Sequence, residues 1–218
     1  MKTVVVLSGG LDSTVLLASL LAEGRECLAL SFDYGQRHVR EIDSARAVCA
    51  FYGVHHQVAD LKMLTPLWGS NSLTDTSVQV PNGHYTEEQM KVTVVPGRNL
   101  VFLSIAAAWA MGNKCDSLAY GAHGGDHTIY PDCRPEFATA LGNTLALADW
   151  HRVSLEHPFA SLDKTAIVRI GKKLGAPFHL TWSCYKGGER HCGLCATCVE
   201  RREAFANAGV PDPLGATP

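Results

Sequence analysis

Residues 3–16 read Thr-Val-Val-Val-Leu-Ser-Gly-Gly-Leu-Asp-Ser-Thr-Val-Leu. Val4, Val5, Val6 and Leu7 form an unbroken apolar, mostly β-branched run. Such a run marks a central parallel strand covered on both faces. Ser8, Gly9 and Gly10 follow at once. Leu11-Asp12-Ser13-Thr14 then opens a second apolar segment, residues 15–22, which predicts a buried helix. Strand, glycine-rich turn and helix N-terminus gather several backbone N–H groups and the positive end of a helix dipole at one point. Phosphate binds at such points. Gly9 and Gly10 are expected to leave room for the anion to approach the backbone.

No Gly-x-x-x-x-Gly-Lys-Ser/Thr occurs in the chain, so the loop is not one that grips a γ-phosphate. No Gly-x-Gly-x-x-Gly occurs either, which argues against a dinucleotide site. Ser8-Gly9-Gly10-Leu11-Asp12-Ser13 resembles the phosphate loop of the ATP pyrophosphatase (PP-loop) superfamily. That resemblance implies ATP cleaved between its α- and β-phosphates, with an adenylylated intermediate. It places ATP against Leu7, Ser8, Gly9, Gly10, Leu11, Asp12, Ser13 and Thr14.

The chain has 218 residues, 46% of them hydrophobic and 18% charged, which suits one globular domain with a small appendage. A net charge of −2 without a basic block argues against a nucleic-acid surface. The apolar run before Ser8 is too short for a signal peptide, and the longest apolar stretch, residues 100–111, is too short to span a bilayer. A cytoplasmic protein without a membrane partner is therefore expected. Eight cysteines in that setting argue against a disulfide framework.

Further along, residues 27–32 predict a second strand ending in Asp33-Tyr34-Gly35-Gln36-Arg37-His38. Polar groups at the C-terminal end of a strand are where open α/β sheets bind ligands. Asp33 is a candidate for the ribose or adenine edge; capping the next helix is the other local reading. Residues 41–52 predict an amphipathic helix, and 55–58 a third strand. Residues 60–95 form a long irregular excursion, expected to cover the active site.

Pro96-Gly97-Arg98-Asn99 precedes residues 100–111, apolar all round and hence a buried helix with Asn99 as N-cap. Arg98 lies at the wrong end for the helix dipole, so a ligand anion is its expected partner. Gly97 would approach the same anion. A fourth strand, 117–120, runs into the polar loop 121–137, which contains His123, Asp126, His127, Tyr130, Asp132, Cys133 and Arg134. Such a loop shapes a small-molecule site. His123, Asp126 and His127 also have the chemistry of metal ligands, and Cys133 could be reactive there. Residues 137–148 predict a helix and 153–158 a fifth strand. Asp163 caps a helix from Lys164 to residue 174, closed by Gly175. Lys164 is displaced from the favoured helix end as Arg98 is, and becomes a second phosphate candidate.

Cys184, Cys192, Cys195 and Cys198 are spaced to enclose one tetrahedral ion. A closed structural Zn²⁺ site is expected, with an iron–sulfur cluster as the alternative. Cys27, Cys49 and Cys115 look like core thiols. From Val199 onward, with Glu200-Arg201-Arg202-Glu203, a short charged helix is predicted, followed by a Pro/Gly tail. The fold class is thus α/β, a five-stranded parallel sheet with helices on both faces. It divides into a nucleotide-binding domain, 1–180, and a zinc-binding segment, 181–218.

Taken together, the phosphate loop, Phe32-Asp33-Tyr34-Gly35-Gln36-Arg37-His38, Val95-Pro96-Gly97-Arg98-Asn99-Leu100, Tyr130-Pro131-Asp132-Cys133-Arg134 and Cys184-Tyr185 with the three later cysteines resemble the 7-cyano-7-deazaguanine synthase family of queuosine biosynthesis. The resemblance implies an adenine nucleotide α-hydrolase-like fold and a homodimer. It implies ATP-driven conversion of a carboxylate and ammonia to a nitrile through an amide, with release of AMP and pyrophosphate. Asp12, Arg98 and Lys164 would carry the phosphate chemistry with Mg²⁺. Asn99, His123, Asp126, Tyr130, Asp132 and Arg134 would hold the base. Two departures stand out: Gly124-Gly125-Asp126-His127-Thr128-Ile129 differs from the family loop, and Ala166 replaces a family glutamate two residues after Lys164. They leave a second end point open, the amide. A tRNA-modifying PP-loop ligase and a zinc-knuckle interaction module on a degenerate scaffold are the other classes the motifs allow.

Overall fold

A computed structural model describes residues 1–84, 91–126 and 130–215. Five parallel strands form one sheet in the order β3-β2-β1-β4-β5. They are β1 (Lys2–Val6), β2 (Glu26–Asp33), β3 (His55–Asp60), β4 (Ser117–Ala119) and β5 (Ser154–Glu156). Among the described residues the longer α-helices are α1 (Leu11–Ala22), α2 (Arg40–Tyr52), α3 (Arg98–Gly112), α4 (Pro135–Leu145), α5 (Lys164–Leu174) and α6 (Ala196–Ala208).

Alternation along the strands divides the core into two layers. Val4, Leu30 and Leu118 point to the α3–α4 face, where Phe102, Leu103, Ala106 and Leu141 cover them. Val5, Leu7, Ala29 and Ala119 point to the other face, against α1, α2, α5 and α6. The segment after residue 180 shares this second layer: Ala204 and Phe205 of α6 pack with Ile167 and Phe178. Cys27, Cys49 and Cys115 are buried, as expected of core thiols. Asp163 caps α5 through Ala166 N at 2.6 Å, and Gly175 closes it at φ +66°.

The sheet sets the site. The chain runs outward from β1 to β2 and β3, then returns to β4 on the other side of β1. The C-terminal ends of β1 and β4 therefore face a topological switch point, the usual ligand crevice of such sheets.

Three expectations are corrected. Asn99 does not cap α3; it lies within the helix, and the N-cap is Gly97 at φ +63°. The helix end is served by Asp132, whose Oδ2 accepts Asn99 N at 2.9 Å, so a carboxylate occupies the positive end of the dipole. Helix α3 is not buried all round, because Leu100, Ser104 and Ala108 are exposed. The described part of the 60–95 excursion does not line the cavity. Trp68 packs on Tyr34, and the carbonyls of Asp75 and Val78 accept from Arg37, so the segment braces the β2–α2 turn. Its far end joins the cysteine knuckle, where Asn82 bridges to Cys195 and Gly83 N donates to Leu194 O.

Candidate active site

A cavity of about 240 Å³ opens at the C-terminal ends of β1, β2 and β4. One wall is the Ser8–Ser13 loop. Ser8 and Ser13 close it on itself: their hydroxyls lie 3.0 Å apart, Ser8 N donates to Ser13 Oγ, and Gly10 N donates to Ser8 Oγ. The first helical bond of α1 is Thr14 N to Gly10 O. The amides of Leu11, Asp12 and Ser13 thus have no acceptor among the described residues and are free to hold an anion.

Gly9 is required for a different reason from the one the sequence suggested. At φ +80°, a Cβ there would meet Glu41 O at 2.1 Å and Ala45 N at 2.6 Å. The missing side chain admits the backbone of α2, not the ligand. Gly9→Ala is expected to destabilise the fold by about 2–3 kcal/mol through clash and left-handed strain. Urea unfolding checks this, with the fall appearing in the midpoint and not in the slope.

Lys164 and Arg98 both reach this cavity. Lys164 Nζ lies 3.5 Å from Asp12 Oδ2 and 2.6 Å from Glu200 Oε2. Burial alone would depress this ammonium. Asp12, Glu200 and Asp126 outweigh burial and hold it above its ordinary value, so it stays charged. Arg98 is buried beside Tyr34, Tyr185 and Tyr130, and its guanidinium stays charged as arginine does throughout the ordinary pH range. Its guanidinium donates to Tyr34 Oη at 3.1 Å and stacks over Tyr34 and Phe102. No carboxylate of the described residues pairs with it, so an anionic ligand would be its first full counter-charge.

The opposite wall includes Asn99, Asp126 and Tyr130. Burial raises the Asp126 carboxyl, and Tyr130 Oη is fixed 3.0 Å from Thr93 Oγ1. Of the remaining sequence candidates in the described residues, only Cys133 lines the cavity. His123 is buried behind Asp126; its main-chain N donates to Asp126 Oδ2 at 3.1 Å, and its Nε2 lies 3.6 Å from the same oxygen. It orients Asp126 from behind. Asp132 is spent on the α3 N-terminus, Asp33 faces Lys62 at 3.2 Å, Thr14 is buried beneath the loop, and Arg134 precedes α4 at the surface. Gly97 shapes the start of α3 outside the cavity. Cys133 is not a reactive thiol: it is buried, and burial together with Asp126 and Asp132 pushes it well above the usual thiol range. His127 lies outside the described residues.

Sequence reasoning missed several wall residues: Tyr34, His38, Glu41, Trp182, Glu200 and Arg201. Tyr34 and His38 carried a signal, since they follow β2 directly. Glu200 and Arg201 carried none, because a Glu-Arg-Arg-Glu run ordinarily marks a solvated face. Here Arg201 is 2% exposed, paired with both oxygens of Asp212 at 2.8 and 2.9 Å, and donates to Thr181 Oγ1 at 2.7 Å.

The four cysteines converge next to this cavity. Their sulfurs all lie within 4.8 Å of one another, with Cys195 3.4 Å from Cys198 and 4.0 Å from Cys184. They can hold a metal ion. Among the described residues no other His, Cys, Asp or Glu group forms such a cluster. Cys195 is the N-cap of α6, the helix that presents Glu200 and Arg201 to the cavity, so the knuckle and the site are mechanically one unit.

A phosphate loop, two cations held charged and a four-cysteine knuckle in one chain narrow the comparison with known proteins. The sequence model of the family described as queuosine biosynthesis protein QueC matches residues 2–209. The chain belongs to this family. Among its relatives, the 7-cyano-7-deazaguanine synthase of Caldicellulosiruptor saccharolyticus is 50% identical over 214 residues, covering 98% of this chain and 95% of that protein. The 7-cyano-7-deazaguanine synthase of Methanoregula boonei is 50% identical, with 98% of each chain covered. A solved structure of the U34-tRNA thiolase NcsA from Methanococcus maripaludis with its [4Fe-4S] cluster has a TM-score of 0.51 at 19% identity. The match covers 95% of this chain and 67% of that one. That likeness concerns the fold alone. The motifs of this QueC-family chain all fall within the matched span. No helix among its described residues is long and apolar enough to cross a membrane.

Proposed function

We propose that this chain converts 7-carboxy-7-deazaguanine and ammonia to 7-cyano-7-deazaguanine, consuming two ATP and releasing two AMP and two pyrophosphates. The observation that carries this is the convergence of the Leu11–Ser13 amides, Lys164 and Arg98 on one cavity at the switch point of a QueC-family sheet. A carboxylate oxygen is a poor leaving group. Joined to AMP, it leaves readily.

In the first half, the carboxylate attacks the α-phosphorus of ATP. The loop amides hold the departing pyrophosphate, and Lys164 neutralises charge that builds on the phosphates. Arg98, braced by Tyr34 and Phe102, is the second counter-charge. Ammonia then displaces AMP and leaves the amide. In the second half, the amide oxygen is adenylylated in the same way, and loss of AMP and both N–H protons of the former amide gives the nitrile. Asp126 and Tyr130 suit the amino and ring N–H edge and the face of the base.

Asp12 Oδ1 is buried with no hydrogen-bond partner among the described residues. An orphaned carboxylate oxygen beside the phosphate loop fits a Mg²⁺ ligand, and Mg²⁺ there would offset polyphosphate charge. The cysteine site fits zinc. Zn–S bonds of about 2.3 Å in a tetrahedron set sulfurs roughly 3.8 Å apart; three of the sulfur pairs here lie 3.4–4.0 Å apart and all lie within 4.8 Å. A four-iron cluster puts each thiolate on a different iron and needs a wider cage.

The Ala166 departure bears on the end point less than the sequence suggests. Lys164 is flanked here by Asp12 and Glu200, so carboxylates face it without a residue at 166. The same cavity therefore serves both adenylylations. Mass spectrometry tests this: nitrile should accumulate with two AMP per product, whereas amide persisting with ATP in excess would end the reading at the amide.

We also infer a homodimer through the α3–α4 face. Leu100, Ala108, Met111 and Phe137 line an apolar groove there, and Leu147 and Trp150 beyond α4 are 86% and 102% exposed. Sedimentation equilibrium should give twice the chain mass, and Leu100→Glu with Ala108→Glu should give a monomer. A wild-type monomer would refute the interface.

A further inference from the structure

We propose that His38, oriented by Glu41, binds the incoming ammonium and removes the proton it must shed before it can attack. The inference rests on the reaction proposed above. It identifies where that reaction's nitrogen source is received.

His38 ends the turn after β2 and lines the cavity, yet is only 2% exposed. Its Nε2 lies 3.3 Å from Glu41 Oε2. The other oxygen of Glu41 accepts from Gln36 Nε2 at 2.9 Å. Gln36 is fixed in turn: Nε2 donates to Phe32 O at 3.0 Å, and Oε1 accepts Tyr34 N at 2.9 Å. With that carboxylate 3.3 Å from Nε2, the pair favours the tautomer that has its proton on Nε2 and a lone pair on Nδ1. That Nδ1 is buried with no hydrogen-bond partner among the described residues. Buried polar atoms normally have one, so an orphaned acceptor in a cavity wall points to a small N–H donor.

Each of the other anionic groups of the cavity already faces a charged or titratable side chain. Asp12 and Glu200 flank Lys164, and Asp126 faces His123. Among the described residues that line the cavity, only the His38–Glu41 pair combines an imidazole nitrogen with a carboxylate close behind it. Tyr185, whose ring lies 4.9 Å from the imidazole, adds an aromatic face that suits a small cation.

The step balances. Ammonium predominates near neutral pH and has no lone pair for attack. One N–H bond breaks and its proton passes to Nδ1, giving an imidazolium facing Glu41. The freed nitrogen lone pair forms the C–N bond at the acyl carbon. The C–O bond to AMP breaks, and AMP leaves with that electron pair. The nitrogen's second surplus proton goes to solvent.

The test uses the full-length wild type, His38→Gln and Glu41→Gln. Three rates are measured: ATP–pyrophosphate exchange dependent on 7-carboxy-7-deazaguanine, product formation against ammonium, and hydroxamate formation with hydroxylamine, which is neutral at neutral pH. His38→Gln should keep exchange within about twofold and lose about 100-fold in kcat/KM for ammonium. It should lose less than about threefold with hydroxylamine, because that amine needs no base. Equal loss with both amines, or no loss with ammonium, overturns the proposal. Should His38→Gln also lose exchange, the same contrast between amines is read from Glu41→Gln. Absence of exchange in the wild type overturns the reaction itself, and the dyad with it.

Discussion

Replacing Lys164 by Met is expected to lower kcat by about 10³-fold with little change in the fold. The side chain is 15% exposed and sits at the first turn of α5, held by Asp12 and Glu200. Removing one preorganised donor from a developing oxyanion costs about 10²–10³ in rate. Here the loss also leaves Asp12, Glu200 and Asp126 without their common counter-charge, beside a polyphosphate that is itself an anion. The two effects add in the same direction. Methionine keeps most of the buried length, so packing against α1 is preserved. Steady-state AMP release checks the rate, and circular dichroism checks the fold. A variant within tenfold of wild type would remove Lys164 from the phosphate chemistry.

Cys195→Ser is expected to cost one bound metal per chain, roughly 10 °C in Tm and most of the activity. Cys195 is fully buried, touches two other sulfurs and caps α6. Loss of a structural metal ranks among the few single-site changes worth several kcal/mol. For a chain of this size each kcal/mol shifts Tm by about 2–4 °C. Activity should fall too, because α6 carries Glu200 to Lys164 and Arg201 to Thr181 and Ser183 at the cavity wall. Elemental analysis should find zinc in the wild type. Iron would contradict the zinc assignment, and a variant retaining metal and Tm would contradict the site.

Local features of the sequence transferred well to the structure where the physics is local. Val4–Leu7, the Ser8–Ser13 loop and the Asp163 and Gly175 caps depend on neighbours a few residues away. So does the close spacing of Cys192, Cys195 and Cys198. Side chains whose role depends on distant partners did not transfer. His123 was read as a ligand contact because it follows a strand, yet Gly125 N donates to its Nδ1 and it faces Asp126 from behind. Glu200-Arg201-Arg202-Glu203 predicts a short charged helix and carries no sign that Arg201 is buried. Its burial depends on Asp212 eleven residues later and on Thr181 twenty residues earlier. Gly9 was read as making room for phosphate, whereas Glu41 of a different helix occupies that space.

The most direct measurement is ATP-dependent turnover of 7-carboxy-7-deazaguanine with ammonium, followed by mass spectrometry while AMP is counted. The account predicts the nitrile, two AMP per product, and loss of both carboxylate oxygens, one to each AMP. A stable amide with one AMP would contradict the second adenylylation, and no AMP at all would contradict the enzyme.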